Sequence, residues 1–278
     1  RMKLGFSSTT TMTSNLETDV AISVQAGFTG MDIWASKLDS YLASHSVDDL
    51  KALLAGHAMA PMGFGVIEFI GFRGNEYPQV QARCKELSRI ARAIGCPTIV
   101  PVPSPLPDRS LTWADIKKEY VTVLRDLGHI AGEEGVQLAF EFLGFGWASI
   151  RTPRAAWEII QEVDLKNVGM AFDTAHFYGG GGSLQELAQV DPARIFAYHL
   201  NDLENLPKEA FSDSIRLYPG EGVIPLDEIN ACLKQIGYAG PCTVELFRPE
   251  YWADDPTRVA KKARESAVKV LSPYFQVE

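Results

Sequence analysis

The chain has 278 residues, 46% of them hydrophobic, with a formal net charge of −9 and an isoelectric point near 5.1. That length and apolar content suit a single domain over 1–278, since one α/β barrel commonly runs to about 250 residues. The acidic balance argues against a nucleic-acid partner, which wants a basic face, and no window approaches the ~18–20 continuous apolar residues of a membrane span. The N-terminus enters a strand directly, without the apolar stretch of a signal peptide. Cys84, Cys96, Cys232 and Cys242 are widely spaced with no C-x-x-C pair, so the expectation is reduced thiols in a cytoplasmic protein.

Lys3–Ser7 reads as a first strand and Asn15–Ala26 as a helix, with Phe28–Trp34 as the second strand. Ser46 is a candidate N-cap for a helix over Val47–His57. Ala60–Val66 is a third strand in which Gly63 and Gly65 leave room inside a crowded barrel. Val80, Cys84, Leu87, Ile90, Ala91 and Ile94 follow the helical period across Tyr77–Ile94. Thr98–Val102 is a fourth strand, stiffened by Pro101 and Pro103. Thr112-Trp-Ala-Asp115 then opens a helix in a capping-box-like pattern, and Gly135 ends it. Val136–Phe142, Val168–Phe172, Ile195–Leu200 and Cys242–Leu246 are strands five to eight. Helices over Pro153–Val163, Ser183–Ala188, Leu226–Ile236 and Pro256–Leu271 follow them in turn. Alternating strands and helices with no composition break predict a single (β/α)₈ TIM barrel. The long irregular connection, Asn201–Pro225, is a candidate functional loop.

Four strand ends carry ionisable groups: Glu141 in Ala-Phe-Glu-Phe, Asp173 in Ala-Phe-Asp-Thr, His199 in Ala-Tyr-His-Leu and Glu245 in Thr-Val-Glu-Leu. An acid after a strand is also a common helix N-cap, so Asp173 alone decides nothing. Four consecutive charged strand ends at barrel-like intervals are a different matter. In a parallel barrel all four project at the same carboxyl rim. Three carboxylates at close range raise one another's pKa unless positive charge intervenes, and one imidazole cannot balance all three. An oxygen-rich set with one nitrogen suits Mn²⁺, Mg²⁺, Co²⁺ or Zn²⁺.

Glu141, Asp173-Thr-Ala-His176, His199-Leu-Asn-Asp202 and Glu245 resemble the xylose-isomerase-like sugar isomerase/epimerase superfamily. Val244-Glu-Leu-Phe-Arg-Pro-Glu-Tyr251, Tyr218-Pro-Gly-Glu-Gly222 and Ile224-Pro-Leu-Asp227 resemble, within it, the isomerases of 2-keto-myo-inositol (inosose) of inositol catabolism. The resemblance implies that Glu141, Asp173, His199 and Glu245 bind one divalent metal ion, with Glu141 and Glu245 as the acid/base pair. It implies proton transfer through a metal-bound enediolate of a sugar or cyclitol ketone, with no organic cofactor, in a homodimer or homotetramer. It also makes His176 and Arg216 substrate contacts. Asp202 and Glu221 are candidates to orient His199 or Arg216, or ordinary loop acids.

Trp34, Phe64, Phe72, Trp147 and Trp252 lie near strand exits and are candidates for an apolar wall over a sugar ring, or for packing. Arg248 and Glu250 are either substrate contacts or a rim ion pair. The Gly179–Gly182 run lacks the Lys and Ser/Thr of a phosphate-binding loop and reads as a flexible loop. His45, His57 and His129 fall on predicted helices and are expected at the surface.

Endonuclease IV shares the superfamily, but its trinuclear site needs extra histidines after the early strands, and here those strands supply none. The remaining alternatives keep the metal: a ketose 3-epimerase, a hydroxypyruvate isomerase, or a dehydratase of inosose or 3-dehydroshikimate type. A sugar-binding barrel with a structural metal is the non-enzymatic one. Two positions depart from the inosose isomerase pattern: Ser7-Ser-Thr-Thr10, where an asparagine or acid is expected, and Tyr178, where a histidine is expected.

Overall fold

Every strand read from the sequence enters one closed parallel barrel in a computed structural model that describes residues 1–278. The strands are β1 (Leu4–Ser7), β2 (Gly30–Trp34), β3 (Ala60–Ile67), β4 (Thr98–Pro101), β5 (Gln137–Glu141), β6 (Val168–Asp173), β7 (Ile195–Leu200) and β8 (Cys242–Val244). Each pairs with its sequence neighbours, and β1 pairs with β8 to close the ring.

The repeated triplets at the ends of β5, β6 and β7 explain how the site is presented. Side chains alternate along a strand, so the middle residue of Ala139-Phe-Glu141, Ala171-Phe-Asp173 and Ala197-Tyr-His199 points away from the other two. Phe140, Phe172 and Tyr198 are buried in the main core between barrel and helices. Each such burial is worth about 1.5–3 kcal/mol. Ala139, Ala171 and Ala197 belong instead to a small separate cluster with Val100, Val102 and Leu143, inside the barrel. The aromatic residues anchor the strands, and the ionisable ones are left facing the rim.

The helices α1 (Leu16–Ala26), α3 (Val47–Gly56), α4 (Tyr77–Ile94), α5 (Trp113–Glu133), α6 (Pro153–Val163), α8 (Leu184–Leu187), α9 (Leu226–Ile236) and α11 (Pro256–Leu271) fall where they were expected. Ser46 and Thr112 both close capping boxes, with Asp49 and Asp115 as the returning acids. Three helices were not foreseen: α2 (Ala35–Leu42), α7 (Thr174–Gly179) and α10 (Pro249–Trp252). The first begins straight from Trp34 with no side-chain cap, so its sequence carries no start signal. The second is capped by Asp173 itself. The glycine run ends this helix and turns the chain, with Gly180 N–H donating to His176 O. His45, His57 and His129 are exposed, as expected. No helix is long and apolar enough to cross a membrane.

Beneath the rim, the buried Lys37 ammonium pairs with the buried Asp19 carboxylate and donates to Ser8 O and Thr11 O. This braces the buried turn Ser8–Thr11 that leaves β1.

The long connection after β7 is ordered by its own polar groups. Asp202–Leu203 pairs antiparallel with Arg216–Leu217. The Asp202 carboxylate accepts from the backbone N–H groups of Leu203, Gly220 and Ile224. A Cβ on Gly222 would lie 2.2 Å from Leu203 O and 2.4 Å from Asp202 Oδ1, so that crossing admits only glycine. Arg248 reaches back 2.7 Å to Glu204 and 3.4 Å to Glu250, tying the loop to the exit of β8. The Phe-Arg-Pro-Glu-Tyr run is therefore a loop clamp, and Arg248 and Glu250 form the rim ion pair.

Candidate metal centre

Glu141 and Asp173 end β5 and β6, His199 is next to last in β7, and Glu245 follows β8. Parallel register carries them to one level: Asp173 lies opposite His199, and Thr243, two residues before Glu245, lies opposite His199 on the other side. One ligand atom from each of the four residues falls within 4.8 Å of all the others, and all four residues are buried. His199 Nδ1 lies 2.8 Å from Glu141 Oε1 and 3.3 Å from Glu245 Oε2. Asp173 caps α7 and also faces the cluster. Its Oδ1 accepts the His176 N–H of α7, and its Oδ2 accepts from Asn201 Nδ2 and Arg216 Nη1 at 3.0 and 2.8 Å.

The electrostatics are those of a site built for a cation. Burial pushes the Glu245 carboxyl up to about 8; His199 opposes the rise and Glu141 adds to it. Burial would lower His199, but Glu245 and Glu141 outweigh it and hold the imidazole's pKa well above its usual value. Asp173 is pushed up by burial and brought down to about 2 chiefly by the Arg216 guanidinium. Protons on Glu245 and His199 stand where a divalent cation would stand, so the donor set fits such an ion.

Cation uptake is therefore expected to expel protons. Apparent affinity for Zn²⁺ or Co²⁺ should rise as pH increases towards about 8, by up to about tenfold per unit for each proton displaced. Calorimetry in two buffers of different ionisation enthalpy reads the proton count. A count of zero at pH 6.5 would contradict this charge state.

A cavity of about 370 Å³ opens over the quartet, within the range of about 300–1,000 Å³ usual for small-molecule sites. Glu141, Glu245, His176 and Arg216 reach it from below. His176 Nδ1 accepts from Gly144 N–H at 3.0 Å, and its Nε2 lies 3.2 Å from Arg216 Nη2. Arg216 is only 1% exposed; its guanidinium contacts Asp173, Asp213 and Glu245 and stacks over the Phe247 ring at 5.1 Å. The long loop thus delivers a buried cation to the acid cluster.

The aromatic wall exists but is built differently from the expectation. Trp34 and Trp147 line the cavity, joined by Phe69, Phe145 and Phe247. Phe145 stacks between Trp147 and Phe211, with both centroid separations 4.9 Å. Phe64 does not take part. It alternates with Gly63 and Gly65, which face Asp32 and Trp34, so its own side chain turns outward into the main core. Phe72 packs edge-on against Tyr120, and Trp252 donates its indole N–H to Thr9 O.

Two further expectations are corrected. Asp202 contacts neither His199 nor Arg216, because its carboxylate is committed to the loop backbone. Glu221 is exposed and pairs with Lys262 at 2.8 Å, on the outer side of that loop. Two residues outside the expected set join the site: Asn201 touches Asp173 and Asp32 touches His199. Tyr178 lies off the cavity, under the Lys208 ammonium.

A parallel barrel that gathers three carboxylates and an imidazole at its carboxyl rim defines the class: TIM barrels organised around a rim metal centre. The chain belongs to the xylose isomerase-like TIM barrel family, whose model matches residues 20–269. It is 34% identical to the inosose isomerase of Bacillus velezensis, over 100% of both chains. It is 33% identical to the inosose isomerase of Bacillus subtilis strain 168, over 99% of this chain and 100% of that one. The crystal structure of the IolI protein with a bound zinc atom matches with a TM-score of 0.95 and 33% identity, covering 99% of this chain and 100% of that one.

Proposed function

We propose that this chain is an inosose isomerase that moves the ketone of 2-keto-myo-inositol to a neighbouring carbon. The observation that carries the reading is the buried quartet, with two glutamates facing a cavity of small-molecule size. Full-length likeness to two inosose isomerases supports the choice of substrate. Glu141, Asp173, His199 and Glu245 would hold the ion. A divalent cation there supplies Lewis acidity, lowering the cost of negative charge on substrate oxygens.

The chain's own groups then handle the protons. One of Glu141 and Glu245 removes the proton from the hydroxyl-bearing carbon beside the ketone, leaving an enediolate. A proton is returned to the former carbonyl carbon, and the hydroxyl proton passes from one oxygen to the other, so no atom or electron is gained. Arg216 and His176 line the cavity floor, where the Arg216 guanidinium offers N–H donors to oxygens that gain charge and His176 lies against it. The rings of Trp34, Phe145 and Phe247 face the cavity and offer apolar surfaces to the C–H face of a cyclitol while excluding water. Unpaired cysteines support a reducing, cytoplasmic setting.

The test is to strip the protein with chelator, reload it with Zn²⁺, Mn²⁺ or Co²⁺, and incubate it with 2-keto-myo-inositol in D₂O. NMR should show cation-dependent deuterium incorporation and a keto-inositol isomer. Loss of water from the product would instead make the protein a dehydratase. Exchange confined to ketohexoses would keep the proton chemistry and discard the substrate.

A further inference from the structure

The quartet accounts for one nitrogen of His199 and leaves the other to be explained. Nδ1 faces Glu141 and Glu245, so it is the nitrogen presented to the candidate metal position. Nε2 points the opposite way, 3.4 Å from Asp32 Oδ2 on β2. The Asp32 side chain is 13% exposed and has no Lys or Arg partner. The barrel makes room for it: Asp32 lies opposite Gly63, where a Cβ would stand 3.0 Å from Asp32 Oδ1. A side chain at position 63 would press on that carboxylate.

We infer that Asp32 is the positioning residue of the metal centre: it accepts the Nε2–H of His199, fixing the tautomer that leaves the Nδ1 lone pair free for the cation. An imidazole donates through one nitrogen and ligates through the other, and a carboxylate behind it sets both ring angle and basicity. Without Asp32 the ring can carry its proton on Nδ1, where it opposes the cation, and can rotate about its axis. Asp32 is the carboxylate paired with Nε2. The inference rests on the reading that the quartet binds metal, and its test separates the two.

Asp32→Ala and Asp32→Asn are compared with the full-length wild type for Zn²⁺ affinity, by competition with a chromophoric chelator, and for the Co²⁺ absorption spectrum. Asp32→Ala is expected to weaken Zn²⁺ binding by about 10–100-fold. Asp32→Asn, the same shape with a weaker acceptor, should fall between. The visible Co²⁺ bands should shift in both, because the ligand's orientation has changed. Long-range ¹H–¹⁵N NMR of the Zn²⁺-loaded protein should show the His199 proton on Nε2, and that proton's signal should shift or broaden in Asp32→Ala. A packing role would lower the metal-free melting temperature and leave the Co²⁺ bands of the loaded protein in place. If Asp32→Ala does not fold, Asp32→Asn decides. Zn²⁺ affinity and Co²⁺ bands within error of wild type in Asp32→Asn and Asp32→Ala would overturn the inference. His199→Ala is the control: wild-type Zn²⁺ affinity in that variant would overturn the quartet reading and this one together, whereas loss in His199→Ala alone overturns only the role of Asp32.

Discussion

Replacing either Glu141 or Glu245 with glutamine is expected to slow isomerisation by about 10²–10⁴-fold, the range associated with losing a positioned general acid or base. The amide keeps the shape of the side chain and one oxygen that can face a cation, but it cannot take up a proton. The two variants should therefore differ from a simple loss of metal. Metal content measured beside turnover separates the two causes, since loss of proton transfer leaves a loaded, inactive protein. Deuterium incorporation from D₂O into bound substrate gives the more direct reading, because it follows the C–H bond itself. Both glutamates are buried and reach the cavity floor, and both lie against the His199 imidazole. A variant that kept wild-type exchange with its metal in place would remove that glutamate from the acid/base pair.

Arg216→Met should show the second large effect, and it should show it most in the metal-free protein. The guanidinium is 1% exposed, 2.8 Å from Asp173 and 3.5 Å from Glu245, so its loss strands buried carboxylates. Breaking such a pair from one side costs about 3–5 kcal/mol, read as a lower urea midpoint. Asp173 gives the pH dependence. Its folded pKa, about 2, lies below its unfolded value of 3.8. Its contribution is therefore complete above the unfolded value and lost as pH falls towards about 2. Without Arg216 that pKa rises, and the acid-side protection between about pH 4 and 2 shrinks or vanishes. A divalent cation should restore part of the lost stability, by about 2.7 kcal/mol at a hundred times its dissociation constant. Equal urea midpoints for wild type and Arg216→Met without metal would show that the ion pair carries no net stability.

Much of this could be read before the fold was known, and the reason lies in spacing. The barrel was legible because its buried strands are short apolar runs and the helices between them open and close on capping and breaking residues, as at Ser46, Thr112 and Gly135. The four rim residues were legible because each follows apolar strand residues by a fixed interval. The aromatic wall was not, since Phe145, Phe211 and Phe247 lie in loops where no period tells which way a ring turns, and Phe64 was misplaced by one step of strand alternation. Asp202 and Glu221 were misassigned for a related reason: the hairpin between Asp202 and Leu217 directs one carboxylate into the loop and leaves the other outside it. Asp32 left a faint signal, an acid two residues before Trp34 and therefore on its face. Its partner lies on another strand that nothing local connects to it.

The alternation at the ends of β5, β6 and β7 has a consequence for how this scaffold can change. Phe140, Phe172 and Tyr198 secure their strands from the outside, while the reactive groups one residue further on have their own neighbours within the barrel. Adhesion and reactivity are thus assigned to adjacent residues on opposite faces. A lineage can exchange a rim side chain, and with it the reaction, without surrendering the contacts that keep the strand in register. The same partition guides redesign: alterations at the rim act first on the chemistry, whereas alterations one residue earlier act first on the packing that holds each strand.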